Sequence, residues 1–222
     1  AVSQNTKKEI LKVIPGLKIE VINHGVDIRQ FQMKSEIQPG SENATAGVSQ
    51  NALEASRIST SWQPPKPYIL SVGALKKRKG YEYSIRAFAE AAPNFPDLKY
   101  VIVGDGPEYH NLKSQIASLK IDDKVVFLKN LDISDLIVIY KNAELFILLP
   151  QDINKDIEGF GLVFLEAAAC GLPVVSVKDS SAEDATRGGR NGMLVPQADY
   201  KLAGRAIEEI LGHPELRLKF SK

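Results

Sequence analysis

Glu166 is the chain's clearest chemical anomaly. It is the only charged residue between Gly161 and Val177, set inside Leu-Val-Phe-Leu-Glu-Ala-Ala-Ala-Cys. A helix apolar on every side is a buried one, and an ionised carboxylate within it costs several kcal/mol, roughly, unless donors reach it. Two readings are open. Glu166 sits on the helix's one exposed edge or caps a neighbouring loop, or it accepts hydrogen bonds from ligand hydroxyls at the top of a sheet. Just upstream stands Glu158-Gly159-Phe160-Gly161. Glycine lets backbone approach a ligand closely, and the first free amides of a helix starting at Gly161 and Leu162 form an anion site. Glu158 then lies on the loop and Glu166 about two turns into the helix, so the pair can face different parts of one substrate.

A second candidate is the basic run Lys76-Lys77-Arg78-Lys79-Gly80. Taken alone it reads as a solvated loop. It follows a strand ending at Gly73, however, so it can lean over the same crevice as the glycine loop. Cations on one side and a helix amino end on the other would grip a phosphate or diphosphate. Other motifs fail. Gly104-Asp105-Gly106 begins like a dinucleotide fingerprint, but Tyr109 stands where the third glycine belongs. His24, His110 and His213 show no metal-ligand spacing, and the single Cys170 rules out an internal disulfide and a cysteine zinc site. No metal site is expected.

Composition narrows the class. Of 222 residues, 44% are apolar and 25% charged, and 28 basic side chains nearly cancel 27 acidic ones for a net +1. That balance argues against a nucleic-acid binder, which needs surplus positive charge. No apolar run reaches the roughly 18 residues of a membrane span, and no leader pattern opens the chain. The expectation is a reduced, cytoplasmic protein.

The elements that must position these residues alternate from Pro67 onward. Strands are expected at Tyr68 to Val72, Tyr100 to Val103, Val125 to Leu128, Leu145 to Leu149 and Pro173 to Val177. Helices are expected at Tyr81 to Ala92, His110 to Lys120, Ile133 to Lys141, Gly161 to Cys170 and Ala198 to Leu211, with a short one after Pro214. Short, uniformly apolar strands between helices imply a doubly wound parallel α/β sheet with ligands at its carboxyl ends. Before it, Thr6 to Glu9 has capping-box spacing for a helix that Pro15-Gly16 stops, and Lys18 to Ile22 alternates as a short strand. Residues 29–66 read as a flexible linker, being rich in Ser, Gln, Asn, Ala, Gly and Pro. Asn43-Ala44-Thr45 within it matches the glycosylation pattern by chance.

At this point a resemblance enters. Glu158-Gly-Phe-Gly-Leu-Val-Phe-Leu-Glu166-Ala-Ala-Ala-Cys-Gly171-Leu-Pro173-Val-Val resembles the Glu-x7-Glu signature of group 1 (family 4) retaining glycosyltransferases. Ser71-Val72-Gly73 with Arg78-Lys79-Gly80, then Val103 to Pro107, Val126 to Leu128, Pro150 and Asn191 to Val195, follow in family order. Residues 67–211 carry the likeness. Residues 1–28 resemble the last piece of that family's N-terminal domain and its crossing segment, and 67–222 its nucleotide-sugar-binding domain.

The resemblance implies one Rossmann-like half of a GT-B architecture. It also implies a nucleoside-diphosphate sugar as substrate, retained anomeric configuration, and no cofactor or obligate metal. Glu166 would hold the ribose hydroxyls, and Glu158 would face the donor sugar. Lys79, with Arg78 and the amides at Gly161 and Leu162, would stabilise the leaving diphosphate. Gly73, Gly159 and Phe160 would line the donor site, and Lys129 to Leu131 would border the base. A saccharide or lipid-linked acceptor would bind a missing N-terminal domain, and the full-length enzyme would associate with the inner membrane face. Ala74 stands where the family usually has an arginine, and Ser180-Ser181 replaces a glycine pair. The chain is therefore expected to bind nucleotide weakly and transfer sugar poorly. The alternatives are a GT-B nucleotide-sugar epimerase, or a non-catalytic binding or scaffold domain.

Overall fold

The computed structural model describes residues 1–32, 65–153 and 160–221. Six parallel strands form one sheet: β1 (Tyr68–Val72), β2 (Lys99–Val103), β3 (Val125–Leu128), β4 (Leu145–Ile147), β5 (Val174–Val177) and β6 (Gly192–Val195). Their order is β3-β2-β1-β4-β5-β6. The chain winds outward from β1 in one direction and from β4 in the other, which leaves a crevice above their carboxyl ends. β1, β4 and β5 are buried along their whole length. Helices cover both faces, so these strands have no polar-out positions. Polar groups inside the sheet are paired: Ser71 Oγ and the Tyr100 hydroxyl lie 2.7 Å apart, and Ser71 also reaches the Ile147 carbonyl.

Nine helices are described. α1 (Gln4–Val13) and α2 (Ile28–Gln32) precede the sheet. α3 (Tyr81–Ala91), α4 (Tyr109–Leu119) and α5 (Ile133–Asn142) connect β1 through β4. α6 (Leu162–Ala169), α7 (Ser181–Ala185), α8 (Tyr200–Gly212) and α9 (Pro214–Phe220) follow. α8 packs closely against α3: a Cβ on Gly204 would stand 3.1 Å from the Ala87 carbonyl oxygen.

The N-terminal segment departs from expectation in several places. The cap of α1 is Ser3, whose Oγ accepts the Thr6 amide at 3.0 Å; Thr6 lies inside the helix with its hydroxyl 2.8 Å from Ser3 Oγ. Lys18 to Ile22 is not a strand, since it finds no sheet to join. It is tied down instead by the Ala1 ammonium donating to the Glu20 carbonyl at 2.7 Å and the Ile22 amide to the Ala1 carbonyl at 2.9 Å. Residues 29–32, expected as the start of the linker, lie in α2 instead. α2 lies against α6, and Phe31, 5% exposed, packs edge-on against Tyr140 with ring centroids 6.3 Å apart. Burying such a ring is worth about 1.5–3 kcal/mol, enough to hold a single helical turn. The rest of the expected linker up to residue 64, Asn43 included, lies outside the described residues.

Candidate functional site

Gly80 fixes the first wall of the crevice. Its φ of 67° is left-handed, and a Cβ there would stand 1.6 Å from the Leu149 carbonyl oxygen. Only glycine lets the loop after β1 lie against the end of β4. The Gln151 amide donates to the Arg78 carbonyl at 2.8 Å, and the buried Gln151 side chain donates Nε2 to the Leu149 carbonyl at 2.8 Å. The loops of the two central strands are therefore joined at the switch point of the sheet.

Lys79 is carried there. The residue is 9% exposed, and its Nζ lies 3.9 Å from where a Cβ on Gly73 would be. Gly73 itself has no hydrogen bond to spare: its amide donates to the Val103 carbonyl at 2.9 Å, and its carbonyl accepts the Tyr81 hydroxyl at 2.7 Å. Gly73 thus contributes space beside the ammonium. Arg78 is half-buried on the same turn.

The second wall is the start of α6. Gly161 caps it with φ 76° and ψ 64° and has no side chain, so the cap residue itself offers the leading amides no side-chain acceptor. Phe160 is buried, and His24 from the N-terminal segment meets its ring edge-on with centroids 5.9 Å apart. Leu162 is 41% exposed. Glu158 and Gly159 lie outside the described residues.

Glu166 is half-buried, one turn below that amino end. Its Oε2 accepts the Tyr140 hydroxyl at 2.8 Å, and Oε1 makes no hydrogen bond among the described residues. Burial first, then the Glu166 charge and hydrogen bond, push the Tyr140 hydroxyl well above its ordinary pKa, so it stays a donor. Among the described residues the carboxylate thus has one hydrogen-bond partner, on Oε2. Lys129 and Leu131 stand apart, past the end of the edge strand β3. The Lys129 ammonium is 3.9 Å from Asp105 Oδ2 with both side chains mostly exposed, a pairing worth little. Ser180 caps α7, accepting the Ala182 amide at 3.2 Å and donating to the Val177 carbonyl at 3.0 Å. Ala74 is exposed.

Tyr140, Tyr81 and Gln151 are part of this arrangement without having been singled out in the sequence. The available signal was a lone tyrosine at the end of the apolar run Leu136 to Ile139, whose buried hydroxyl must find an acceptor. Among the described residues, no group of three or more His, Cys, Asp or Glu is placed to hold a metal ion, and no helix is long and apolar enough to cross a membrane.

Comparison with known proteins bears on these features. The family model described as "Glycosyl transferases group 1" matches residues 54–222. The chain is 30% identical over 151 residues to the GDP-mannose-dependent alpha-(1-6)-phosphatidylinositol monomannoside mannosyltransferase of Mycolicibacterium smegmatis, covering 67% of this chain and 40% of that protein. It is 30% identical over 230 residues to the D-inositol 3-phosphate glycosyltransferase of Corynebacterium urealyticum, covering 98% of this chain and 50% of that one. The crystal structure of Anabaena Alr3699/HepE in complex with UDP and glucose superposes with a TM-score of 0.75 at 21% identity, over 100% of this chain and 55% of that one. That likeness shows the shared fold. The chain spans about half the length of the curated relatives it matches, at 40% and 50%.

Proposed function

Since this chain belongs to the glycosyl transferases group 1 family, we propose that it is the donor-binding half of a retaining glycosyltransferase. In this reading it grips a nucleoside-diphosphate sugar while the rest of the enzyme presents the acceptor. The observation that carries the reading is Lys79, a residue only 9% exposed whose Nζ lies beside Gly73 at the junction of β1 and β4. A buried cation at a switch point is suited to a diphosphate.

Each residue then has a task. As the bond between the sugar's anomeric carbon and the diphosphate breaks, the electron pair leaves on phosphate oxygen. Lys79, Arg78 and the amides at Gly161 and Leu162 are fixed beforehand where that charge grows, which lowers the barrier. Glu166 Oε1 takes a ribose hydroxyl, with Tyr140 holding the other oxygen. Gly159 and Phe160 line the sugar side, Glu158 faces donor-sugar hydroxyls, and Lys129 to Leu131 border the base. The family's description is of transfer, which favours this reading over an epimerase.

Alone, the chain binds nucleotide but turns over poorly, because the acceptor side belongs to the remaining half. The relatives include a GDP-mannose-dependent enzyme, and a neighbour binds UDP, so UDP, GDP and ADP and their sugars form the test panel. Thermal shift should rise with at least one of them by mass action and should persist in EDTA, since no metal is required. A chain whose melting is unmoved by every member would refute the reading, and steady multiple turnover by this chain would refute its incompleteness. The name of the mycobacterial relative points to a lipid-linked acceptor, which would bring the full-length enzyme to a cytoplasmic membrane face.

A further inference from the structure

Within residues 1–31, Phe31 is the only apolar residue that is buried. Its helix, α2, is one turn of five residues, too short to be stable by itself. Asp27 opens the turn. Its Oδ1 accepts the Arg29 amide at 3.1 Å, and the Arg29 guanidinium donates to both carboxylate oxygens at 3.0 Å. Ile28, Arg29 and Gln30 are exposed. The turn therefore depends on its one buried ring for its place on the sheet domain.

That ring lies on the residue that holds Glu166. Two rings meet Tyr140 among the described residues: Phe31 edge-on at an interplanar angle of 80°, and Phe146 stacked with centroids 6.0 Å apart. Phe146 belongs to β4, is fully buried, and is met in turn by Phe164 of α6 at 5.6 Å. It is a fixed floor. Phe31 is the contact supplied from outside the sheet and its connecting helices. The Tyr140 hydroxyl sits at the far end of its ring, so slack beside the ring displaces the hydroxyl. Glu166 Oε2, hydrogen-bonded to it at 2.8 Å, must follow.

The same segment touches the other wall of the crevice. His24 packs on Phe160, the residue just before the glycine that caps α6. Residues 24–31 thus contact both the side that carries Glu166 and the side that carries the leading amides. A ring kept only as an anchor needs any apolar patch; this one rests on the hydrogen-bond donor that Glu166 uses.

We infer that Phe31 is a positioning residue for the nucleotide's ribose. It wedges Tyr140 against Phe146, so that Glu166 is held ready for the ribose hydroxyls. Donor affinity then depends on where the N-terminal segment lies. The link from Phe31 to Glu166 is one of packing; its consequence for ribose rests on the transferase reading above.

The test has two arms, both on the whole chain. Without nucleotide, the Glu166 carboxyl ¹³C signal, identified by its loss in Glu166→Gln, should move in Phe31→Ala in the same direction as in Tyr140→Phe. With nucleotide, calorimetry compares UDP, GDP and ADP with their 2′,3′-dideoxy counterparts, which lack the hydroxyls that Glu166 accepts. The parent should prefer the ribose form at least about tenfold, as a hydrogen bond to a charged group implies. Phe31→Ala should cut that preference to about threefold or less by weakening the ribose form alone. Phe31→Leu keeps the apolar bulk and should keep the preference. Ile116→Ala, at a fully buried position on α4, lowers stability as well but should leave the preference unchanged. An unmoved carboxyl signal in Phe31→Ala, an undiminished ribose preference in that variant, or an equal loss in Ile116→Ala would each overturn the inference and spare the donor reading. Equal binding of ribose and dideoxy forms by the parent would overturn it through Glu166. A moved carboxyl signal in a chain that binds no nucleotide would sink the donor reading and the ribose role with it, while the packing link stands.

Discussion

Tyr140 and Glu166 lie on adjacent helices, and the hydroxyl of the first donates to Oε2 of the second at 2.8 Å. Among the described residues, the carboxylate in the apolar helix is thus held on one oxygen only. Tyr140→Phe leaves that oxygen without its donor. Urea unfolding should show a loss of about 1–2 kcal/mol, and affinity for nucleoside diphosphates should fall because the carboxylate is no longer held. A variant as stable and as tightly binding as the parent would contradict the role assigned to this pair.

Lys79 is buried beside Gly73 rather than waving in solvent like a surface lysine. Lys79→Ala should weaken nucleoside diphosphate binding at least about tenfold, near 1.4 kcal/mol, with an unchanged far-UV spectrum. Lys76→Ala and Lys77→Ala, at exposed positions in the same run, should change it much less. Equal losses from all these lysines, by calorimetry, would indicate a diffuse electrostatic attraction instead.

Gly80→Ala places a methyl 1.6 Å from the Leu149 carbonyl oxygen at a left-handed φ of 67°. Strain and overlap together should cost about 2–4 kcal/mol, read from urea midpoints. Gly212→Ala, on a helix end with open space around it, should stay within about 0.5 kcal/mol.

Alkaline pH offers a separate check. Burial pushes the Cys170 thiol from 9.0 up to about 11, with Lys141 opposing and Glu166 adding to the shift. Between those values the unfolded chain has released a proton that the folded one keeps. Stability is therefore whole below the unfolded value and falls as pH rises through the window. Burial also raises Tyr68, Tyr100 and Tyr140, which steepens the loss at higher pH. Urea midpoints should drop from neutral pH towards about pH 11, and Cys170→Ala should flatten the first part of that drop. At neutral pH the thiol should react slowly with disulfide reagents.

Much of the sheet could be read from sequence because β1, β2, β4 and β5 are apolar runs with both faces covered. Their spatial order could not be, since apolar runs carry no neighbour information. β6 is an edge strand with Met193 and Leu194 half-buried, too short and too mixed to stand out by pattern. Lys18 to Ile22 alternates as a strand would, but strand formation needs a partner that only the fold supplies. Ser3 and Thr6 are both competent caps, and which is used depends on where the helix begins. For the site, Glu166's need for a donor was visible in its surroundings, while the identity of that donor on another helix was not. The packing of α1 on α7 was invisible for the same reason: the Gln4 amide and Asp184 carboxylate that join them are 180 positions apart.

The most direct test of the donor-site assignment is a titration of the labelled chain with UDP, GDP and ADP, followed at every backbone amide. The prediction is that at least one nucleotide shifts Gly73, Lys79, Leu162 and Glu166 together with a single dissociation constant, because these residues flank one crevice above β1 and β4. A saturating response located elsewhere on the surface, or none with any of the three, would contradict it.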